Sequence, residues 1–285
     1  MNRPRSPLPS WLKVGLPSGK LGAACAERGL STVCAEARCP NRNECWGTGT
    51  ATFMLLGSSC TRRCRFCAVA TAAHPPPPNP EEPARLAQTV AEMKLGYAVL
   101  TTVCRDDLPD QGAAHLAACI TTVKARCPGI RIEILLQDFH ADIKPLRMVL
   151  SAKPDALGHN LETVERLTPR VRDPRASYRL SLKTLSTLRS LAQDKPLKSS
   201  LMLGLGETRA EVETALSDLR RAGVDCLTLG QYLRPSTRHL PVKRFVLPQE
   251  FVLWSERAKQ LGFRNAACGP LVRSSYHALE AYTAA

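Results

Sequence analysis

Short apolar runs and amphipathic stretches alternate six times along this chain, and no other feature restricts the fold as much. The runs at 51–57, 97–103, 130–136, 155–159, 198–205 and 225–229 have strand length and strand composition. Between and after them, 81–95, 113–126, 144–152, 177–193, 208–223 and 248–261 carry helical periodicity. In 208–223, Thr208 and Glu211 form a capping-box pair, Val212, Ala215, Leu216 and Leu219 line one face, and Gly223 ends the helix. Strand–helix alternation of this kind demands a parallel sheet with right-handed crossovers. Six units predict an α/β fold, a partial (β/α)6 TIM-type barrel, rather than a closed eight-stranded one. Residues 1–50 show little periodicity and form an N-terminal extension. The expected barrel covers 51–265, and 266–285 form a C-terminal segment. The proline-rich run from His74 to Pro83 can be neither helix nor central strand, so it reads as a stiff connector.

Barrel chemistry gathers where strands end, which places Cys60, Arg105, His159, Gly206 and Gln231 on one rim. With 285 residues and 44% apolar content the chain has ample core. No run is long enough to span a membrane, and the N-terminus lacks the apolar segment of a secretion signal. A cytoplasmic location is the expectation. Twelve cysteines in a chain of this size point to metal-binding thiols rather than to a disulfide scaffold. The net charge of +14 suits an acidic partner.

Six of the cysteines form two triads. Cys34, Cys39 and Cys45 are spaced C-x4-C-x5-C, and Cys60, Cys64 and Cys67 are spaced C-x3-C-x2-C. Neither supplies the paired knuckles of a structural zinc site. Three thiolates on a loop after the first strand suit a [4Fe–4S] cluster with one iron left open. The second triad resembles that of the radical S-adenosylmethionine superfamily, in which the open iron chelates S-adenosylmethionine and an electron from the cluster cleaves its sulfonium.

The first triad narrows the resemblance. CAEARCPNRNECW, GTGTATFMLLG and CTRRCRFC are similar to the lipoyl synthase family, as are RDDLP from Arg105, HNLET from His159, GLGET from Gly204, GQYLRPS from Gly230 and RSSYH from Arg273. The resemblance implies insertion of two sulfur atoms, at C6 and C8 of an octanoyl chain linked to a carrier lysine, with two S-adenosylmethionine molecules consumed. It implies a radical-generating cluster on Cys60, Cys64 and Cys67, and a sacrificial auxiliary [4Fe–4S] cluster on Cys34, Cys39 and Cys45. A serine of the Arg273 motif fills the auxiliary cluster's fourth position: Ser275, with Ser274 as the alternative. Arg273 and Ser275 are then catalytic. Phe66, Arg105, Asp107, Gly206 and Glu207 are expected near the cofactor, and His159 and Asn160 near the substrate chain. The implied partners are an octanoylated lipoyl carrier domain or glycine-cleavage H protein, a flavodoxin or ferredoxin as electron donor, and an iron–sulfur carrier; neither membrane nor nucleic acid is expected.

Plainer readings exist for several of these residues. The GLGET stretch also reads as a capped strand-to-helix turn, Arg105 to Asp107 as a solvated charge run, and His159 as a strand-end cap. Cys25, Cys104, Cys119, Cys127, Cys226 and Cys268 fit small buried hydrophobes. Cys104, Gly158 and Gln137 depart from the family's pattern. A radical methylthiotransferase acting on tRNA is the alternative enzyme, and a metal-binding nucleic-acid module is the non-enzymatic one.

Overall fold

The computed structural model describes residues 8–12, 31–32, 39, 41, 44–45, 49–276 and 278. Strand β2 (Thr50–Leu55) is buried along its whole length, as a strand covered on both faces must be. It runs parallel to β5 (Tyr97–Thr102), and β5 to β6 (Arg131–Leu135). The parallel ladder continues through β7 (Ala156–Gly158), β8 (Leu197–Leu203) and β9 (Cys226–Gln231). Helices α1 (Glu82–Glu92), α2 (Ala113–Arg126), α3 (Ile143–Ser151), the short α4 (Thr168–Val171), α5 (Tyr178–Leu191), α6 (Arg209–Arg221) and α7 (Pro248–Gln260) occupy the crossovers. Thr208 and Glu211 make both halves of the capping box at the start of α6. No helix among the described residues is long and apolar enough to cross a membrane.

Among the described residues the large sheet has two strands beyond the six expected. Asn265–Gly269 pairs in parallel with β9 as β10, and Ser31–Thr32 pairs antiparallel with β2 as β1. The sheet is therefore eight-stranded, seven of them parallel, and β1 and β10 form its two open edges. β10 carries no apolar run; every residue in it is half-buried. Its pairing comes from backbone register against Cys226–Gly230, and no side-chain pattern announces that. The partial barrel thus gains one strand at its C-terminal edge.

The core is continuous from the sheet to the helices. Phe53 and Leu55 of β2, Leu100 of β5 and Ile132 and Ile134 of β6 are fully buried with Leu116 and Ile120 of α2. Burying each such side chain contributes about 1.5–3 kcal/mol, which fixes the strand ends that carry the functional loops.

Candidate active site

The second cysteine triad sits on a loop clamped at its root. Cys60 belongs to β3 (Ser59–Cys60), which pairs with β4 (Ala70–Thr71), so the chain leaves and returns side by side around Cys64 and Cys67. The thiols receive backbone donors. Arg62 N–H and Cys104 N–H donate to Cys60 Sγ at 3.4 and 3.3 Å, and Asp173 N–H donates to Cys64 Sγ at 3.4 Å. The neighbouring Cys104 thiol lowers the Cys60 pKa most; burial opposes it, and the two N–H groups and Arg62 add to it. Burial raises Cys64 and pushes Cys67 up to about 12. Amide donors aimed at sulfur are the outer support that iron–sulfur thiolates receive, so the residues present fit a three-thiolate cluster.

A buried ion-pair network anchors this loop. Arg62, inside the triad, donates from Nε and Nη2 to Asp106 at 3.0 and 2.8 Å, from Nη2 to Asp138 at 2.9 Å, and from Nη1 to Asp138. Asp138 stands just beyond β6, and Asp106 beyond β5. Thr61 Oγ1 donates to Asp106 at 2.7 Å, and Arg63 N–H donates to Asp173 at 2.8 Å. Burial pushes the carboxyls of Asp106 and Asp138 up, yet the Arg62 hydrogen bonds overcome it and hold both below the ordinary range. The residues of this network are far apart in sequence; its one local signal is the pair of arginines between Cys60 and Cys64.

The other rim residues divide into packed and facing groups. Arg105 is fully buried, pairs with Asp107 at 2.8 Å through both Nε and Nη2, and donates to Leu56 O at 3.3 Å. Gln137 accepts from Arg105 N–H at 3.4 Å and donates to Gln111 O at 2.7 Å. Glu207 accepts from the N–H groups of Gly204 and Leu205 at 2.6 and 2.9 Å, locking the GLGET turn internally. Gly204 and Gly206 have φ of +99° and +107°, which favours glycine.

His159 is buried, with Nδ1 at 2.9 Å from Leu136 O and Nε2 at 2.9 Å from Ser181 Oγ. Arg172 donates to the same hydroxyl at 2.6 Å, so the Ser181 proton points to Nε2 and the imidazole proton lies on Nδ1. Burial, then the Arg172 charge, lowers His159 to about 4. Asn160 bonds the half-buried Glu162, whose φ of +72° is a strained backbone for a residue with a Cβ. Glu162 acts electrostatically on Cys64 and Cys67, and Arg172 on Cys64. Arg172 Nε has no partner among the described residues. Neither Glu162 nor Arg172 was expected from sequence. Phe66 is half-buried against the core. A cavity of about 130 Å³ is lined in part by Arg65, Leu167, Val171, Leu205, Leu240 and Lys243.

The first triad is described at Cys39 and Cys45; Cys34 lies outside the described residues. Hydrogen bonds join this region and the neighbouring β2 to the C-terminal segment. Asn41 Nδ2 donates to Leu271 O at 2.7 Å, Tyr276 OH donates to Glu44 at 3.0 Å, and Thr52 Oγ1 donates to Ser275 Oγ at 2.9 Å. Arg273 feels the Cys39 thiol, though burial is what chiefly lowers its pKa. The tail can cross the end of β9 because Gly230 has no side chain: a Cβ there would meet Val272 O at 2.1 Å.

Residues 54–219 match the Radical SAM superfamily. A lipoyl synthase from Thermus thermophilus is 53% identical over 274 residues, covering 95% of this chain and 85% of that protein. One from Anaeromyxobacter dehalogenans is 52% identical and covers 96% and 94%; a mitochondrial lipoyl synthase from Branchiostoma floridae is 50% identical and covers 96% and 76%. The chain belongs to the lipoyl synthase family. It is accordingly a sulfur-inserting enzyme of the radical S-adenosylmethionine class, a class whose members use S-adenosylmethionine and [4Fe–4S] clusters. Among solved structures, the hydrogenase maturase HydG from Carboxydothermus hydrogenoformans shares the fold with a TM-score of 0.59 at 13% identity, covering 82% of this chain and 65% of that one. Methylornithine synthase shares it with a TM-score of 0.52 at 14% identity, covering 87% and 77%. Within this lipoyl synthase family member, the two chain ends that carry the first triad and Ser275 are brought into direct contact.

Proposed function

We propose that the chain divides lipoyl synthesis between its two triads. Cys60, Cys64 and Cys67 hold a cluster for S-adenosylmethionine cleavage, and Cys34, Cys39, Cys45 and Ser275 hold an auxiliary cluster. When bound, the first supplies the electron for cleavage and the second supplies sulfide for C6 and C8 of a carrier-bound octanoyl chain. The observation that carries this reading is the docking of the C-terminal segment on the first-triad region, with Asn41 on Leu271 and Glu44 on Tyr276, while Ser275 rests on Thr52 of β2.

The residues around the site have separable tasks. The N–H donors to Cys60 and Cys64 stabilise thiolate over thiol. Arg172 offers a charge for the carboxylate of S-adenosylmethionine and Glu162, whose carboxyl pKa burial raises, an acceptor for its amino group, and the cavity at the Gly204–Glu207 turn suits its less polar part. Arg105 and His159 act from behind: their polar atoms are taken up within the protein, so they fix the loop ends, and the exposed Asp107 holds the Arg105 guanidinium. Ser275 gives iron an alcohol oxygen, a poorer match for a sulfide-rich site than thiolate, which eases release. The basic charge of the chain recruits an acidic octanoylated carrier and a flavodoxin-type or ferredoxin-type electron donor.

The test is a single turnover with labelled sulfide in the clusters, read by intact mass of the carrier. Wild type should transfer label. A Cys34→Ala/Cys39→Ala/Cys45→Ala variant should still cleave S-adenosylmethionine and add no sulfur. Unlabelled sulfur in the wild-type product, or full activity of the triple variant, refutes the division.

A further inference from the structure

A third set of metal-type donors lies away from both triads. Glu82 of α1 and His115 and Cys119 of α2 bring one carboxylate oxygen, one imidazole nitrogen and one thiol together, each within 4.8 Å of the other two. We propose that this trio is a site for a divalent transition-metal ion, with zinc the cation that suits its donors best.

The helices create the arrangement. His115 and Cys119 are four residues apart on α2, so both project from one face. Glu82 reaches across from the first turn of α1. One oxygen, one nitrogen and one sulfur match the mixed preference of zinc, and three protein ligands leave a fourth position for water. Two of the donors already meet, and an ion would replace the hydrogen bond between them. His115 Nε2 is 2.7 Å from Glu82 Oε2, and the Leu56 N–H donates to the same oxygen at 2.9 Å. A backbone donor behind a ligating carboxylate is the kind of outer support that orients metal ligands.

Hydrogen bonding among the three residues does not account for Cys119. Its thiol is fully buried, makes no hydrogen bond among the described residues, and lies close to a carboxylate. Burial, then the Glu82 charge, keeps its proton on. A bound dication reverses this: the thiol releases its proton, and thiolate plus carboxylate neutralise the ion. The side chains of His115 and Glu82 keep 14% and 10% exposure, which gives the ion a way in. Leu56, tied to Glu82, lies four residues before Cys60, so an ion here would brace the root of the radical-triad loop.

Zinc misplaced in an empty cluster site is the competing result, and the sulfur count separates the two. Cluster-loaded protein would be stripped with a chelator, given zinc sulfate, desalted, and examined by elemental analysis and zinc X-ray absorption. The expected result is one zinc per chain beyond the iron, bound by one sulfur and three nitrogen or oxygen atoms. Cys119→Ser should retain iron and sulfide, weaken zinc retention by about tenfold or more, and lose the sulfur shell. Zinc should raise the melting temperature of the wild type and leave that of Cys119→Ser unchanged. No zinc beyond the clusters, zinc with three sulfurs, or equal retention in Cys119→Ser overturns the site. None of these readings depends on catalysis, so they stand or fall separately from the division of labour between the triads.

Discussion

Removing the guanidinium of Arg62 should destabilise the cluster loop more than removing any of the exposed arginines. The Arg62 side chain is 2% exposed and that of Asp138 is 0%, so neither charge can turn to water. Arg62→Met keeps the stem and deletes the charge. Asp106 would keep Thr61, Arg175 and His140, whereas Asp138 would keep only the His140 N–H at 3.0 Å and the surrounding dipoles. Breaking a buried ion pair from one side costs about 3–5 kcal/mol, against a total stability on the order of 5–15 kcal/mol. Most of that loss is the uncompensated Asp138 carboxylate. Adding Asp138→Asn to Arg62→Met should therefore recover about 1–3 kcal/mol, the desolvation cost of the stranded group. Urea unfolding of the cluster-free protein under reducing conditions measures all three variants. A loss below about 1 kcal/mol for Arg62→Met, or a double variant no more stable than the single, would show that the network does not hold the loop.

Two further perturbations follow from the rim. His159 is neutral when folded, with its pKa lowered to about 4 from 6.5, so the unfolded chain binds more protons between those values and stability falls as pH drops from 6.5 towards 4. The group accounts for roughly 3 kcal/mol at 1.36 kcal/mol per unit, and His159→Gln should flatten that part of the urea midpoint against pH; identical slopes would contradict the assignment. At the GLGET turn, Gly204→Ala places a Cβ 2.3 Å from Gln231 Nε2 and 2.6 Å from Arg244 O, while Gly206→Ala meets nothing nearer than 3.5 Å. Both are strained by positive φ, but Gly204→Ala should lose clearly more stability and more S-adenosylmethionine binding by calorimetry, and a reversed order would refute the contact argument.

The six alternating units were legible because buried parallel strands are mostly apolar and their crossover helices are amphipathic, with buried Glu133 and Lys198 as exceptions. Strand β10 was not legible, since Asn265–Gly269 has no apolar signal and is held by backbone bonds to β9. The two triads stand out in the sequence by spacing, and only the family resemblance separates their roles. Their supports do not stand out: Arg62 meets Asp138 across 76 residues, and Cys64 meets Asp173 across 109, pairings that only the closing sheet creates. Arg105, His159 and Gly206 could be placed on the rim from strand ends, but the direction in which the Arg105 and His159 side chains turn depends on neighbours from other strands. Glu162 and Arg172 gave no signal of their own, because a lone acidic or basic residue in a loop reads as solvated until the fold buries it.

The contacts between the chain ends also impose an order on synthesis. The ribosome completes the second triad by residue 67, within a stretch of eight residues. Thr52 and Asn41 must wait for Ser275 and Leu271, more than 200 residues later. At ~5–20 residues per second, translation of that interval takes roughly 10 to 50 seconds. By residue 67 all six triad cysteines are made, but the supports of the second set at Cys104 and Asp173 arrive at mid-chain, whereas the tail contacts of Asn41 and Thr52 form only at the end of synthesis.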